Sequence, residues 1–412
     1  MSRLADLIVE LCPDGVEYRR LDELFATRNG YTPSRSDMSA WDSHDIPWFR
    51  MEDIRENGGI LDRALTYVSS SAVKNGVLFP ENSLLVATSA TVGAHALITV
   101  PHLSNQRFTS LRLKDEYRKY FDYRFLYYYC FVLDAFCLEH VNVSSFPSVD
   151  MRAFRSFKFP VVPLAVQREI VRILDQFTTL EAELEAELEA RRAQYEYYRE
   201  QLLSYDALVS RYPNGVEYKS IGSFSKCVAG ATPNSKNPSL WDGDIPWMSS
   251  GEVNKKTVYS TNRFITQLGF DSCSTKMVPA GAVVIALAGQ GKTRGTVARI
   301  RIELCTNQSL CAIITDKTVD SDYLFHYLSG QYDNLRAVSS GDGTRGGLNL
   351  KMIRAYKVPV PPIEEQRRIA DVLDRFDALV NDISSGLPAE IAARRAQYEY
   401  YRDRLLSFPE KK

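Results

Sequence analysis

The sequence lacks a dominant charge, since 50 Lys and Arg residues face 51 Asp and Glu residues for a formal net charge of −1. The global basic field that would announce a nucleic-acid partner is therefore absent. This balance does not exclude DNA, because local patches rather than the sum decide how a protein binds phosphates.

Long hydrophobic runs are missing as well. The longest, at 281–289, covers nine residues, whereas a membrane-spanning helix needs roughly 20. Asp6 and Glu10 interrupt the first apolar stretch, which is not typical of a signal peptide. We therefore expect a protein that has no membrane partner.

Metal-binding patterns are also missing. The seven cysteines include no Cys-x-x-Cys pair, and the five histidines show no metal-ligand spacing. Thiols that stay reduced in the cytoplasm explain the odd cysteine number best. The sequence predicts a cytoplasmic protein with no metal site and no cofactor.

What the sequence does contain is an internal repeat. PDGVEY at 13–18 returns as PNGVEY at 213–218, and RRAQYEYYR is identical at 191–199 and 394–402. The offset stays near 200 residues along the whole chain. The repeat predicts a tandem duplication with pseudo-two-fold symmetry. Because the end of the second copy is in register with the start of the first, we expect the two termini to lie close together.

Each repeat opens with short β-like runs between turn signals, followed by a Tyr/Leu-rich stretch that predicts a helix. This mixture predicts an α/β (α+β) globule with a strongly β core. The predicted strands are 83–88, 94–100 and 109–113 in the first repeat and 282–288, 296–302 and 310–315 in the second, and the predicted helices are 120–136 and 323–335.

A proline-marked hinge and a long helix close each repeat. The hinges at 160–163 and 359–362 should be extended, because proline disfavours helix in the residue before it. Near-heptad apolar spacing predicts a helix over Gln167–Ser204, about 57 Å long. Gly386 and Pro388 predict a break in the second helix. The two apolar stripes most simply pack antiparallel against each other; the alternative is that each helix covers only its own domain.

Taken in order, these motifs resemble the specificity subunits of type I restriction-modification systems. The resemblance covers essentially the entire chain, and the order and duplication of the motifs are specific although each motif alone is weak. The motifs are Trp41…Ile46-Pro47-Trp48, Asn105-Gln106 and Pro160…Gln167-Arg168-Glu169-Ile170, with their partners Trp241…Ile245-Pro246-Trp247, Asn307-Gln308 and Pro359…Gln366-Arg367-Arg368-Ile369.

The resemblance implies a non-catalytic subunit of an adenine methyltransferase/endonuclease complex. Each globule would recognise one half of a split site in double-stranded DNA, and the helices would set the spacing and dock two methyltransferase (M) subunits. A translocase-nuclease (R) subunit can join such assemblies. The implied domains are 1–160 and 206–359 for target recognition, 161–205 as the central spacer helix and 360–412 as the C-terminal one. Because 86–93 and 285–295 differ in length and chemistry, we expect an asymmetric target.

Candidate DNA contacts come first from two corresponding loops. Gln290, Lys292, Thr293 and Arg294 are donors in a glycine-flanked turn between strands, which suits base edges or phosphates. The counterparts in the first repeat are the uncharged residues Thr88, Ser89 and Thr91. The alternative is a plain surface hairpin.

Two basic triplets and several scattered polar residues complete the DNA candidates. The triplets could line phosphates or form a solvated face beside the hinge. Asparagine in both halves favours a structural role, whereas the role of the neighbouring glutamine stays open; the tryptophans are expected in the core. The triplets are Arg152, Arg155, Lys158 and Lys351, Arg354, Lys357, and the other candidates are Arg35, Ser36, Arg50, Gln106, Arg107, Ser249, Ser250, Gln308, Thr344 and Arg345.

The RRAQYEYYR copies predict two equivalent surfaces, one for each of two identical partner subunits. We expect the tyrosines to point largely inward and the arginines toward the partner; the alternative is that the tyrosines only hold the helix pair together. The candidate residues are Arg191, Arg192, Tyr195, Arg199, Arg394, Arg395, Tyr398 and Arg402.

An enzyme remains the alternative: a nucleoside triphosphatase or nuclease that uses the Ala286–Thr293 loop. Ala286-x4-Gly291-Lys292-Thr293 fits a loose P-loop pattern, but a P-loop requires a helix next. Here the following residues alternate like a strand, and the first repeat lacks the motif. We therefore expect no catalytic residues.

Overall fold

The computed structural model describes residues 2–42, 45–142, 146–213, 215–289, 293–339, 347–382 and 385–411. The chain forms two compact units. Unit 1 comprises Met1–Glu183 and Ile391–Lys412, and unit 2 comprises Leu184–Glu390. Each unit therefore combines the globular part of one repeat with helical residues from both repeats.

Unit 1 is built from short strands, short helices and the first part of a long helix. Its helices are α1 (Ser2–Leu11), α2 (Leu21–Leu24), α3 (Met51–Asn57), α4 (Tyr123–Glu139), α5 (Met151–Ser156) and the beginning of α6 (Leu164–Leu203). Its strands are β1 (Glu17–Arg20), β2 (Phe25–Asn29), β3 (Ile46–Phe49), β4 (Ile60–Leu61), β5 (Tyr67–Val68), β6 (Ser83–Ala87), β7 (His95–Ile98), β8 (Leu103–Ser104), β9 (Phe108–Leu113), β10 (Val141–Asn142), β11 (Ser148–Val149) and β12 (Lys158–Val161).

Unit 2 repeats this plan. After the end of α6 its helices are α7 (Tyr205–Arg211), α8 (Ile221–Phe224), α9 (Gln267–Asp271), α10 (Ser321–Ser329), α11 (Tyr332–Ala337), α12 (Leu350–Ala355) and α13 (Ile363–Asn381), while most of α14 (Leu387–Leu405) belongs to unit 1. Its strands are β13 (Glu217–Ser220), β14 (Ser225–Ala229), β15 (Trp241–Met248), β16 (Thr257–Val258), β17 (Arg263–Ile265), β18 (Val283–Ala286), β19 (Val297–Ile300), β20 (Cys305–Thr306), β21 (Leu310–Thr315) and β22 (Lys357–Val360).

The sheets of the two units have the same strand order, which confirms the duplication. The five-stranded sheets run β2-β9-β6-β7-β4 and β14-β21-β18-β19-β16, and the three-stranded sheets run β5-β3-β8 and β17-β15-β20. The central strand β6 is buried on both faces. Leu84 and Val86 face one core, while Leu85 and Ala87 face another. This alternation explains why the strand is continuously apolar in sequence.

The long helices pair antiparallel inside each unit, as the sequence predicts. In unit 1, Phe177 of α6 stacks on Tyr401 of α14 with ring centroids 5.7 Å apart, and Glu181 forms an ion pair with Arg395. In unit 2, Phe376 of α13 packs on Tyr198 of α6 at 5.5 Å. Phe177 and Phe376 are equivalent in the two repeats, as are Tyr401 and Tyr198, so the same contact is made twice.

The glutamine of each Gln-Arg motif is a buried structural pin. The Gln167 side-chain amide donates to the backbone oxygens of Tyr120 and Val162 at 2.7 and 2.5 Å, and its Oε1 accepts from Asp122 N at 2.8 Å. Gln366 makes the three equivalent bonds in unit 2. Both side chains are fully buried. Each glutamine therefore ties the start of a long helix to the segment that leads into the globule's own helix.

The two chain ends meet in unit 1, as predicted. Val16 N donates to Pro409 O, and Lys411 N donates to Val16 O, both at 2.9 Å. Tyr18 adds a hydroxyl bond of 3.0 Å to Phe408 O. In unit 2 the continuous chain takes this path through α7. Unit 1 is therefore closed by hydrogen bonds at the place where unit 2 has a continuous chain.

Helix boundaries agree with the sequence at one predicted break and differ at two other positions. The break around Gly386 is present, between α13 and α14. The helix predicted at 120–136 instead begins at Tyr123, because the Asp122 carboxylate caps the amides of the first turn. The helix predicted at 323–335 is two helices, α10 and α11, with Gly330 as the C-cap of the first.

We expect Gln366→Ala to lower the free energy of unfolding by about 2–4 kcal/mol, because it leaves three buried backbone groups without partners. Thermal unfolding followed by circular dichroism measures the effect. Arg367→Ala, at the exposed neighbouring position, is the control and should change stability by less than about 0.5 kcal/mol. Equal melting temperatures for the two variants would contradict the structural role of Gln366.

Candidate nucleic-acid interface

A cleft of about 620 Å³ lies beside the three-stranded sheet of unit 1. Polar, basic and aromatic side chains share its walls. They are Thr32, Arg35, Met38, Trp41, Trp48, Arg50, Glu52, Thr66, Asn105, Gln106 and Arg107. The structure therefore brings together four residues that the sequence placed in separate motifs: Arg35, Arg50, Gln106 and Arg107.

Two tryptophans fasten one wall of this cleft. Trp41 and Trp48 meet edge to face with centroids 5.4 Å apart. Their indole N–H groups donate to Ser34 O at 2.9 Å and Tyr31 O at 3.0 Å, which ties the loop after β2 to β3. Unit 2 builds the same pair from Trp241 and Trp247, at 5.0 Å. The tryptophans are structural, as expected.

The opposite wall is a turn that asparagine shapes. Asn105 Oδ1 accepts from Arg107 N at 3.0 Å, and Asn307 Oδ1 accepts from Ser309 N at 3.1 Å, so both asparagines close Asx-type turns. The two walls touch at Gly30, where a Cβ would lie 2.0 Å from Asn105 O. Only glycine allows this approach. Gly230 allows a similarly close approach in unit 2, where a Cβ would lie 1.7 Å from Thr306 O, the residue before Asn307.

A threonine links the walls through a glutamine in each unit. The Thr32 hydroxyl donates to Gln106 Oε1, and the Thr232 hydroxyl donates to Gln308 Oε1 at 2.5 Å. Both glutamines are exposed. The Thr-Pro repeat at 32–33 and 232–233 was visible in the sequence, yet nothing in it indicated that these threonines hold the glutamines.

The unit 1 cleft is locally cationic in a chain with almost no net charge. Arg35 and Arg107 are exposed, and in the described part of the chain neither guanidinium pairs with a carboxylate. Arg50 lies over the Trp48 ring, 5.7 Å from its centroid, and donates to Thr66 Oγ1 at 3.0 Å. The lining carries one acidic residue, Glu52, which is 3.9 Å from Arg50 Nε.

The equivalent region of unit 2 has different chemistry. Ser249 occupies the position of Arg50, and its hydroxyl bonds to Glu252 at 3.3 Å in a capping box. The cation comes instead from Arg263 on β17, opposite Trp247. Its guanidinium lies 3.6 Å from the centroid of Trp241. Arg263 was missed in the sequence because its strand register could not be known. Ser250 is half-buried at the start of the same 3-10 turn.

The loop after β6 packs against the turn that carries Arg107. Thr88 N donates to Arg107 O at 3.0 Å, and Thr88 itself is buried with its hydroxyl 2.8 Å from that of Thr109. Ser89 and Thr91 are half-buried. These two residues are thus the more accessible members of that group.

The corresponding loop in unit 2 lies partly outside the described residues. Gln290 and Lys292 fall there, as do Thr344 and Arg345 of another candidate segment. Thr293 is half-buried, and Arg294 is 7% exposed. The strand β19 follows, and it pairs antiparallel with β18. A helix at this position is required for a P-loop, so the fold does not support the nucleotide-binding alternative.

The basic triplets are exposed on α5–β12 and α12–β22, outside the lining of the cleft. Lys158 forms a 2.8 Å ion pair with Glu410, and Arg354 donates to Cys227 O at 3.0 Å. The remaining members, all exposed, are Arg152, Arg155, Lys351 and Lys357.

The first tyrosine of each RRAQYEYYR copy points inward, whereas Tyr197, Tyr198 and Tyr400 are exposed. Tyr195 is 5% exposed, its hydroxyl lies 3.3 Å from His326 Nδ1, and burial raises its pKa to about 12. Burial also raises the pKa of Tyr398, which packs against the unit 1 core.

The arginines of these copies lie closer to solvent, and several bond within the chain. Arg192 and Arg395 are exposed, while Arg191, Arg199, Arg394 and Arg402 are half-buried. Arg191 pairs with Glu187 at 2.7 Å and Arg199 with Glu196; Arg394 donates to Gln397 at 3.1 Å, and Arg402 covers the Phe131 ring at 4.5 Å.

An ionic network that the sequence did not indicate anchors α13 in unit 2. Arg299 donates to Asp322 at 3.0 Å and to Asp374 at 2.5 Å, and His326 Nε2 lies 2.7 Å from Asp374. Burial acts to raise the pKa of Asp374, but the bonds from His326 and Arg299 outweigh it and lower the pKa. Asp175 holds the equivalent place in α6 through Tyr128.

Comparison with known proteins agrees with this architecture. A family profile for the type I restriction modification DNA specificity domain matches residues 13–190 and 213–393. The chain belongs to this specificity-subunit family. It is 40% identical over 399 residues to the type I restriction enzyme EcoprrI specificity subunit of Escherichia coli, covering 93% of each chain. It is 40% identical over 253 residues to the EcoR124I/EcoR124II specificity subunit of Escherichia coli, covering 61% of each.

Solved specificity-subunit structures share the fold. The type I restriction-modification S subunit from M. genitalium aligns over 96% of this chain and 97% of its own, with a TM-score of 0.54 and 14% identity. A structure described as the basis of complex assembly and conformational transition of the type I R-M system aligns over 96% and 98%, with a TM-score of 0.63 and 17% identity. Among the described helices, none is long and apolar enough to cross a bilayer.

We expect Gly30→Ala to destabilise unit 1 by about 1–3 kcal/mol, because the new methyl group overlaps Asn105 O and must separate the cleft walls. Hydrogen–deuterium exchange should rise at residues 104–108. Gly251→Ala is the control, since its nearest neighbouring atom would be 4.0 Å away. Unchanged exchange in Gly30→Ala would show that the walls do not depend on this contact.

Proposed function

We propose that this specificity subunit recognises an asymmetric, bipartite site in double-stranded DNA, with each unit contacting one half. The proposal rests on a set of contacts that both units share, which we call the framework: the tryptophan pair, the asparagine turn and the Thr–Gln link. The side chains that surround this framework, which we call the lining, differ between the units. A repeated framework supports two similar docking modes, and different linings support two different sequences.

The lining chemistry suits DNA. Arginine can bind guanine O6 and N7 with two hydrogen bonds, and it also neutralises phosphates. Arg35, Arg50 and Arg107 give the first cleft three such groups. In the equivalent region of unit 2, Arg263 is the corresponding cation over the tryptophans. We expect the exposed basic triplets to contact phosphates, which positions the protein without reading bases.

We further propose that the paired helices set the spacing between half-sites and dock two methyltransferase (M) subunits. The duplicated Phe–Tyr contact supports this, because it creates two equivalent helical surfaces, each with one copy of RRAQYEYYR. The chain would then act in the cytoplasm as the non-catalytic subunit of an adenine methyltransferase complex, which a translocase-nuclease (R) subunit can join. In this scheme 1–160 and 206–359 recognise the target, and 161–205 and 360–412 are the spacers.

The direct test is methylation mapping across the genome of the native host with and without this gene. A split adenine-methylated motif that disappears on deletion and returns on complementation is the expected result. Copurification of the chain with the adenine methyltransferase should accompany it. Unchanged methylation, with the methyltransferase expressed and active, would refute the proposed function.

In the complemented strain, Arg50→Ser combined with Arg107→Ser should relax the motif in one half only. These changes copy the unit 2 residues Ser249 and Ser309. With the purified complex and duplexes carrying the motif, we expect affinity for the site to fall about 10- to 100-fold, with a shallower salt dependence, because two cations are lost. Arg63→Ser, at an exposed arginine paired with Asp62, is the control. Equal relaxation of both halves would contradict the assignment of one unit to each half.

The length of α6 should determine the spacer between half-sites. The tetrapeptide EAEL occurs twice in succession, at 181–184 and 185–188, so deleting 185–188 preserves the local sequence and shortens the helix by roughly 6 Å. The mapped spacer should shorten by about one or two base pairs. Replacing Glu183 with Gln keeps the length and serves as control. An unchanged spacer in the deletion variant would mean that α6 does not set the distance.

A further inference from the structure

The Thr–Gln link fixes which hydrogen-bonding groups the exposed glutamines offer. A glutamine amide has one acceptor oxygen and an NH₂ group with two donor hydrogens. In both units the threonine hydroxyl bonds to Oε1. Within the described residues, no bond is made by Nε2 of Gln106 or Gln308. The amide is therefore oriented with its donors available.

The framework rather than the lining sets this orientation. Thr32 follows Gly30, which touches the carbonyl of Asn105, and Asn105 shapes the turn that carries Gln106. In unit 2 the Thr232–Gln308 link and the Asn307 turn recur, while Gly230 approaches the carbonyl of Thr306. The donor group therefore lies on the equivalent turn in both units.

The neighbouring lining positions, in contrast, carry different residues in the two units. Arg50 and Arg107 correspond to Ser249 and Ser309, and Thr66, opposite Trp48, corresponds to Arg263. Two half-sites of different sequence have different base edges, but they have the same sugar-phosphate backbone. An amide that is held on the equivalent turn by the equivalent threonine in both units, with the same donor character, matches the shared part of the target.

We propose that Gln106 and Gln308 each donate a hydrogen bond to an equivalent phosphate oxygen in the two half-sites, and so fix the register in which the differing side chains meet the bases. This inference rests on the proposed function. Two donors and an engaged Oε1 suit an anionic oxygen. Paired recognition of adenine would instead require Oε1 to accept from the adenine N6 amino group.

The test uses the full chain copurified with its methyltransferase and duplexes carrying the mapped motif. Single phosphates are replaced by neutral methylphosphonates along each half. In each half, one methylphosphonate substitution should lower the affinity of the wild type. The same substitution should not change the affinity of Gln106→Ala in one half or of Gln308→Ala in the other half. On unmodified DNA each variant should bind about 10- to 150-fold more weakly, the loss of one bond to a charged group, with the methylated motif unchanged.

Two further variants distinguish the orientation of the Gln106 amide from the mere presence of a side chain at this position. Gln106→Glu places a carboxylate beside the phosphate and should bind more weakly than Gln106→Ala. Thr32→Val keeps the shape but removes the hydroxyl that orients the amide, so its affinity should fall between those of Gln106→Ala and the wild type. Gln176→Ala, an exposed glutamine on α6, is the control and should bind like the wild type.

Three results would overturn the inference. Binding by Gln106→Ala at wild-type strength is the first. Relaxation of the motif at one base, together with loss of affinity on 7-deazaguanine rather than methylphosphonate substitution, would show that the donor contacts a guanine. A motif relaxed at adenine would show that Oε1 is used after all. If the wild-type complex has no bipartite motif, the proposed function fails together with the inference, whereas an intact motif with insensitive glutamine variants removes the inference alone.

Discussion

The stacking of a phenylalanine from one repeat's helix on a tyrosine from the other's is the constraint on which the rest of the structure depends. Phe177 with Tyr401 and Phe376 with Tyr198 make each compact unit a product of both repeats. A single repeat would expose the apolar stripe of its helix, at a cost of about 25 cal/mol for each Å² left in water. The duplication supplies, within one chain, the second helix that buries this stripe.

The meeting of the two chain ends in unit 1 follows from the same pairing. Because the C-terminal part of α14 packs in unit 1, the chain's last residues reach the first strand, and Val16 bonds to both Pro409 and Lys411. In unit 2 a covalent connection does the same work. The N-terminal unit thus uses hydrogen bonds and side-chain packing where its twin uses the peptide chain. Loss of the last residues should consequently be felt in unit 1 far more than in unit 2.

The sequence predicted those features that depend on local periodicity or on the repeat itself. Apolar runs located β6 and β18, and Gly386 located the break between α13 and α14. Contacts between distant residues were beyond it. The division of each long helix between two units, the placement of Arg263 over Trp241, and the network around Arg299 all depend on strand register and packing, which no local pattern encodes. Arg294 illustrates the gap, since a residue predicted to contact DNA from a loop is 7% exposed.

The cation over each tryptophan pair shows how framework and lining are separated. In unit 1 it is Arg50, at the end of β3; in unit 2 it is Arg263, on the strand paired with β15. The two guanidinium groups reach the same aromatic pair from different strands, while serine and threonine fill the vacated positions. If the arginine only stabilised the tryptophans, it could lie on either strand with the same effect, and its position would not need to differ between the two units. Since the exchange moves a donor from the end of one strand to the neighbouring strand without disturbing the indole bonds, it changes the chemistry offered to a ligand while the fold stays the same. This is the property that a pair of recognition units with different targets requires.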